Sequence, residues 1–203
     1  MARIEVFADI VCPFTHVSLR RLVEARRARH ACAAVRVRAW PLEWINGEPI
    51  DRTLAAREIE ALQASVAPEL FTAFDTAPLP LTSIPAFGLV AAAYLLDDRV
   101  GEAVSLAIRD ALFERGLDVS DEDVLRGLGA EFGVEPLDRR AAESVTRVDR
   151  GRGAARGVQG SPHFFVGERG WFCPSLAIRH EHDRFDISLA PDSMQEFYAA
   201  ALH

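Results

Sequence analysis

Cys12 is the residue of this sequence best placed to do chemistry. It stands in "DIVCPFTH", Asp9 to His16, where an apolar run gives way to a helical pattern, with Pro13 next to it and Thr15 three residues on. Proline suits the first turn of a helix, where its missing N–H costs nothing, so Cys12 falls at or beside a helix N-terminus. The unpaired N–H groups and the dipole there stabilise an anion and can lower a thiol pKa from about 8.5 into the range of roughly 3.5–7.5. Residues three apart share a helix face, which lets the Thr15 hydroxyl donate a hydrogen bond to the Cys12 sulfur. The competing reading is a buried thiol acting as a small hydrophobe. Thr15 also occupies the place where a second cysteine would complete C-x-x-C, so no disulfide can close within the motif.

A second motif is "GVQGSPHFFV". Pro162 follows Gly160 and Ser161 and directly precedes a strand, which makes Ser161–Pro162 a candidate cis bond; a trans proline opening a strand is the plainer alternative. His16 and His163 flank the two motifs, where each could tune a thiolate or simply pack. Cys32 lies in an alanine-rich turn and reads as inert. Cys173 returns toward the Pro162 end of a hairpin, and a core role suits it better than a redox one. "HEHD" places His180 and His182 on one strand face beside Asp183, but an exposed polar strand explains this better than a metal site. "GRGAARG" follows a charged helix and lacks the spacing of a phosphate loop. No metal site is expected.

These motifs need elements to hold them. Ile4, Val6 and Ala8 alternate with polar residues as in a strand, and the apolar pattern from Phe14 to Val23 is helical. "AVRVRAW" alternates again up to Pro41. Strand, helix and strand without a tight hairpin imply a parallel βαβ unit. From about Thr53 to Arg156 helical patterns follow one another, including one with Ser120 as its expected N-cap and another opening at Pro136. After Gly160, "HFFV" and "WFC" flank a Gly167–Gly170 turn as a hairpin, and "PDSMQEFYAAAL" closes the chain as a helix. The expectation is an α/β protein: a domain of residues 1–52 and 157–203, interrupted by a helical subdomain of residues 53–156.

Composition narrows the chemistry. The 203 residues are 49% hydrophobic and 26% charged, with a net charge of -7, as in a globular protein without the basic face that nucleic acid demands. All 23 formal cations are arginine, which excludes Schiff-base and lysine general-base chemistry. The longest apolar run, Ile84 to Leu96, contains Pro85 and is too short to span a bilayer. A strand pattern begins almost at Met1, leaving no secretory signal, and three irregularly spaced cysteines make no disulfide framework. The expected setting is the cytoplasm, with reduced thiols and no nucleic-acid or membrane partner.

"ADIVCPFTHVSLRRL" resembles the start of the FrnE-like branch of the DsbA family, which carries D-x-x-C-P-W-C followed by a basic pair and leucine. "VRVRAWPLEW" is similar to the second strand of that branch, "ALFERGLDVSDEDVLRGLGAEFGV" to its helical insertion, and "AARGVQGSPHFFVG" to its G-V-x-G-V-P-x-F-V segment. The resemblance implies a thioredoxin fold split by helices, with Cys12 as nucleophile and Thr15 in place of the resolving cysteine. Phe14 replaces the family's tryptophan, and Ser161 replaces the valine before the cis-proline. It implies a thiol–disulfide oxidoreductase in which Cys12 and Thr15 are catalytic and Pro13, Phe14, Ser161, Pro162 and His163 bind substrate. An extended substrate chain would add beside Pro162 as a strand. Glutathione is then the expected co-substrate beside a thiol or disulfide substrate, and a homodimer is compatible with this. Two other readings stay open: a glutathione-dependent isomerase or transferase of the 2-hydroxychromene-2-carboxylate isomerase or kappa type, whose first motif position is serine, and a non-catalytic binding protein.

Overall fold

Strand β1 (Arg3–Ala8) runs through the middle of the protein. Ile4, Val6, Phe7 and Ala8 are all fully buried, as expected of a strand covered on both faces. It leads through a short loop into α1 (Pro13–Ala28), which ends with Arg26 and Arg27 in its last turn, where cations complement the helix dipole. β2 (Ala34–Ala39) then pairs parallel to β1 in the register Val6↔Val37. β3 (His163–Val166) lies antiparallel on the other side of β1, and β4 (Arg169–Phe172) pairs with β3, giving the sheet order β2-β1-β3-β4. This is the α/β fold that the alternation and the resemblance lead one to expect, in a computed structural model describing residues 3–75, 79–181 and 184–202.

Between β2 and β3 come α2 (Leu42–Asn46), α3 (Arg52–Ser65), α4 (Ile84–Leu96), α5 (Asp98–Phe113), α6 (Glu122–Glu131) and α7 (Arg139–Ala155). Asp121, rather than Ser120, caps α6, accepting from Asp123 N at 2.8 Å; Ser120 instead bonds to Asp118. α7 begins at Arg139, capped by Asp138, three residues after the expected Pro136. These helices also guard the open edge of the sheet. Val37 N donates to the Tyr94 hydroxyl at 2.8 Å, and that hydroxyl donates to Val35 O at 3.1 Å. Ala39 N donates to Asp149 at 3.2 Å. Side chains of α4 and α7 thus occupy β2 backbone groups that would otherwise offer themselves to another strand. α7 comes close enough only because Gly153 has no side chain: a Cβ there would lie 2.6 Å from the Trp40 ring.

The β3–β4 hairpin turns at Gly167–Glu168, with Gly167 at φ 58°. β4 stops at Phe172, so Cys173, expected inside the strand, follows it at φ 44°. A second hairpin, β5 (Leu176–Glu181) with β6 (Arg184–Leu189), packs on α3, and α8 (Pro191–Ala201) closes the fold. His180 stacks on Phe185; His182 and Asp183 of the "HEHD" stretch lie outside the described residues. No helix among the described residues is long and apolar enough to cross a membrane.

Candidate active site

The site forms where β1 gives way to α1. Asp9 is buried there, and its carboxylate gathers the surrounding chain: one oxygen accepts from Val11 N at 3.3 Å and from the Ser83 hydroxyl at 2.5 Å, the other from Leu42 N at 2.5 Å. Burial pushes this carboxyl up, against the pull of these hydrogen bonds. From below, Arg109 of α5 donates to the Asp9 carbonyl at 3.0 Å and to Ser105 O and Oγ at 2.9 and 2.7 Å. Arg109 is fully buried. Burial lowers it to about 10, so it is still a cation at neutral pH, and it interacts with both Asp9 and Cys12.

Cys12 is the cap residue of α1, with Pro13 in the first position of the helix. Its thiol donates to the carbonyl of Ser161 at 3.2 Å. The Ser161–Pro162 peptide is cis. Ser161 ties the two motifs together a second time, because its hydroxyl accepts from Asp9 N at 2.8 Å and lies 2.9 Å from Thr15 Oγ1. Two residues far along the chain are thereby held against the first motif; Ser161 stands 149 positions beyond Cys12. Thr15 is buried and Phe14 half-buried at the start of the helix.

The helix terminus does not give the resting thiol the low pKa that its position suggests. Cys12 is only 3% exposed, and this burial pushes its pKa up. The Ser161 and Thr15 hydroxyls and the Thr15 N–H pull the other way, and the charge of Glu58 adds to the rise. Desolvation disfavours the charged form more than these donors favour it, so the resting side chain is a thiol. Thr15→Ala should move the Cys12 pKa further up, because it removes a hydroxyl that favours the thiolate, and a hydrogen bond to a charged group contributes roughly 1.5–3 kcal/mol. The profile of iodoacetamide labelling of Cys12 against pH, followed by mass spectrometry, should shift to higher pH; an unmoved profile would remove Thr15 from the site.

The two histidines do not join Cys12. His16 is packed between Phe71 and Phe113, and its Nε2 lies 2.7 Å from Glu114. Burial would raise the Glu114 carboxyl, but hydrogen bonds from His16, Phe71 N and Thr72 N outweigh it and hold that carboxyl at about 2. His163 stacks on Phe165, and its Nδ1 accepts from Gln159 N at 3.1 Å, bracing the loop that carries Ser161. Cys32 is exposed. Cys173 is buried with its N–H on the Pro162 carbonyl at 3.0 Å, and burial pushes its thiol up to about 12, with Cys12 adding to the rise and the Ser18 hydroxyl opposing it. Among the described residues no group of His, Cys, Asp and Glu is placed to hold a metal.

Asp9, Ser83, Arg109 and Glu58 are the site residues that sequence reasoning did not single out. A signal existed for two of them: Asp9 interrupts the apolar run Ala8 to Val11, and Arg109 interrupts the apolar stripe of Val104, Ile108 and Leu112.

No curated relative matches the sequence. Among solved structures, the cytosolic disulfide reductase DsbM from Pseudomonas aeruginosa is 18% identical, with 97% of each chain covered and a TM-score of 0.65. A structure of DsbM with GSH is 21% identical over 83% of this chain and 88% of that one, with a TM-score of 0.61. 2-Hydroxychromene-2-carboxylate isomerase is 15% identical over 84% of this chain and 88% of that one, with a TM-score of 0.60. These likenesses are likenesses of fold. The sequence itself carries the family's pattern from the first residue of β1 to the first residue of β5, residues 3–176, through both motifs and the helices between them: the chain belongs to the DSBA-like thioredoxin domain family.

Proposed function

We propose that the protein is a thiol–disulfide oxidoreductase with one working cysteine, acting through mixed disulfides and using glutathione as its thiol co-substrate in the reducing cytoplasm. The observation that carries this reading is the surrounding of Cys12: its sulfur faces the Ser161 carbonyl and two hydroxyls, with Thr15 where a second thiol would stand. In the reaction, the Cys12 sulfur loses its proton and attacks a substrate disulfide. A Cys12–substrate disulfide forms, the substrate's own S–S bond breaks, and the electron pair leaves on the outgoing sulfur, which takes up a proton. The Ser161 carbonyl, released by the thiol, then becomes free to accept a hydrogen bond from an extended substrate backbone. Without an internal second thiol, an external one must attack the mixed disulfide to return Cys12.

The isomerase reading needs an apolar substrate pocket beside the sulfur. A cleft of about 840 Å³ between α2, α4, α6 and α7, lined by Trp44, Leu125, Arg126 and Arg147 among others, does not include Cys12. Exchange with a disulfide therefore fits better. Incubation with oxidised glutathione should place one glutathione on Cys12, stable until a thiol is added, and Cys12→Ser should carry none there. If Cys12 forms no adduct, the non-catalytic reading replaces this one.

A further inference from the structure

β4 is the second edge of the sheet, and its backbone is open. Cys173 N donates to the Pro162 carbonyl at 3.0 Å, and hydrogen-bonded pairs alternate with open ones along an antiparallel ladder. Trp171 and Arg169 therefore exchange bonds with Phe164 and Val166, while Gly170 and Phe172 turn their N–H and C=O groups outward. These four groups have no partner among the described residues. On β2, the opposite edge, Tyr94 and Asp149 occupy outward groups instead.

The face above Gly170 carries a further open donor. His163 is 6% exposed. Its Nδ1 accepts from Gln159 N, so the hydrogen of the neutral ring sits on Nε2. Burial and, after it, the Arg156 charge lower this histidine and keep the ring neutral at neutral pH. Nε2 has no hydrogen-bond partner among the described residues and borders the space left by Gly170: a Cβ there would lie 2.9 Å from Nε2 and 2.8 Å from the Phe165 ring. Phe172, which is 49% exposed, lines the same face. Its ring also lies against Gly160, where a Cβ would come within 2.9 Å of it, and the next residue, Ser161, faces Cys12 with its carbonyl. The edge thus continues the surface around the reacting sulfur. Four residues of strand are too few to hold a free partner or a second copy of this chain, since a stable interface buries on the order of 1,200 Å² or more. A segment already tethered through its disulfide meets the edge at a much higher effective concentration.

We propose that β4 is a docking edge for polypeptide substrates. An extended segment near the substrate cysteine adds to Gly170 and Phe172 as a fifth strand, and a hydrogen-bond-accepting side chain, such as Asp or Asn, sits over Gly170 on His163 Nε2. The substrates that use this edge are polypeptide disulfides, which are long enough to reach it from Cys12. The proposal rests on Cys12 being the exchanging thiol.

Two kinds of probe test it, each a mixed disulfide with thionitrobenzoate, whose low-pKa thiol leaves readily and puts the other half on Cys12. One kind carries glutathione; the other is a series of valine–lysine peptides with one cysteine and a single Asp moved along the chain. In the peptide adducts of the full chain, amide hydrogen exchange at Gly170 and Phe172 should slow by about tenfold or more, most strongly for one position of the Asp. In the glutathione adduct both amides should stay as fast as in the free protein. Amides that exchange alike in both adducts overturn the proposal. So do amides already slow in the free protein, as a dimer through β4 would make them. Protection that ignores the position of the Asp overturns the assignment to His163. Phe172→Pro removes an outward N–H and no ladder bond, which blocks the edge while keeping the hairpin. It should lower the ratio of the peptide rate to the glutathione rate by about tenfold, and an unchanged ratio speaks against β4. Should that variant not fold, amide exchange in the unmodified chain decides alone. If neither probe forms a Cys12 adduct, the exchange reading itself has failed and the docking edge falls with it; if both form and the amides do not respond, only the docking edge falls.

Discussion

Thr15→Cys should turn a protein that stops at a mixed disulfide into one that reduces insulin catalytically. Thr15 is buried one turn into α1, and its hydroxyl lies beside the Cys12 sulfur and 2.9 Å from Ser161 Oγ. A cysteine sulfur there takes the place of that hydroxyl at the C-x-x-C spacing, with Pro13 and Phe14 between. The introduced thiolate attacks the Cys12 sulfur of the mixed disulfide, breaks the bond to the substrate and releases the substrate thiol. What remains is a disulfide between Cys12 and the introduced cysteine, which dithiothreitol reduces. An internal thiol at even molar effective concentration outruns an external thiol at about 1 mM by on the order of a thousandfold. In a turbidity assay with dithiothreitol, wild type should stay near the uncatalysed rate and Thr15→Cys should exceed it clearly. A wild type as fast as the variant would mean that another thiol already resolves the adduct. Cys173 would then be the suspect, since it sits beside Pro162 and interacts with Cys12, although burial holds its thiol at about 12.

That experiment was conceivable from sequence because the pieces it uses are local. Cys12, Pro13 and Thr15 belong to one short motif, and alternation in β1 and β2 is enough to place that motif at the end of a parallel strand. Ser161 and Pro162 could be joined to it only through the order of the family's motifs, since no local pattern connects segments so far apart. What stayed hidden comes from tertiary burial. The thiol is pushed up by its burial and by the charge of Glu58 on α3, and no property of "DIVCPFTH" reports that burial. Ser83, by contrast, is an ordinary loop serine until the fold sets its hydroxyl on Asp9. The β5–β6 hairpin was legible only in part, because Arg179, His180, Arg184 and Asp186 make it look like an exposed polar strand, while β6 packs on α3.

Asp9 shows how much of the site depends on one such buried group. Asp9→Ala should destabilise the protein by on the order of 3–4 kcal/mol, since it leaves three donors without their acceptor and each orphaned buried donor costs roughly 1–3 kcal/mol. Those donors come from three places: Val11 in the loop before Cys12, Leu42 at the start of α2, and Ser83 at the cap of α4. The small opening lined by Asp9, Glu43 and Thr82, about 10 Å³, has room for about one water beside the freed donors, which would keep the total below the sum of the three maxima. Asp9→Asn retains one acceptor oxygen and should lose about half as much. The chemistry should change with the stability. Asp9 N positions the Ser161 hydroxyl and the Asp9 carbonyl is held by Arg109, so a loosened loop should expose Cys12 and speed its labelling by iodoacetamide under native conditions. Urea unfolding and native-state labelling measured on the same samples decide the matter. A loss below about 1 kcal/mol with unchanged labelling would show that Arg109 and Ser161 hold the loop through its backbone without the carboxylate, one through a charge-assisted hydrogen bond and the other through a neutral one.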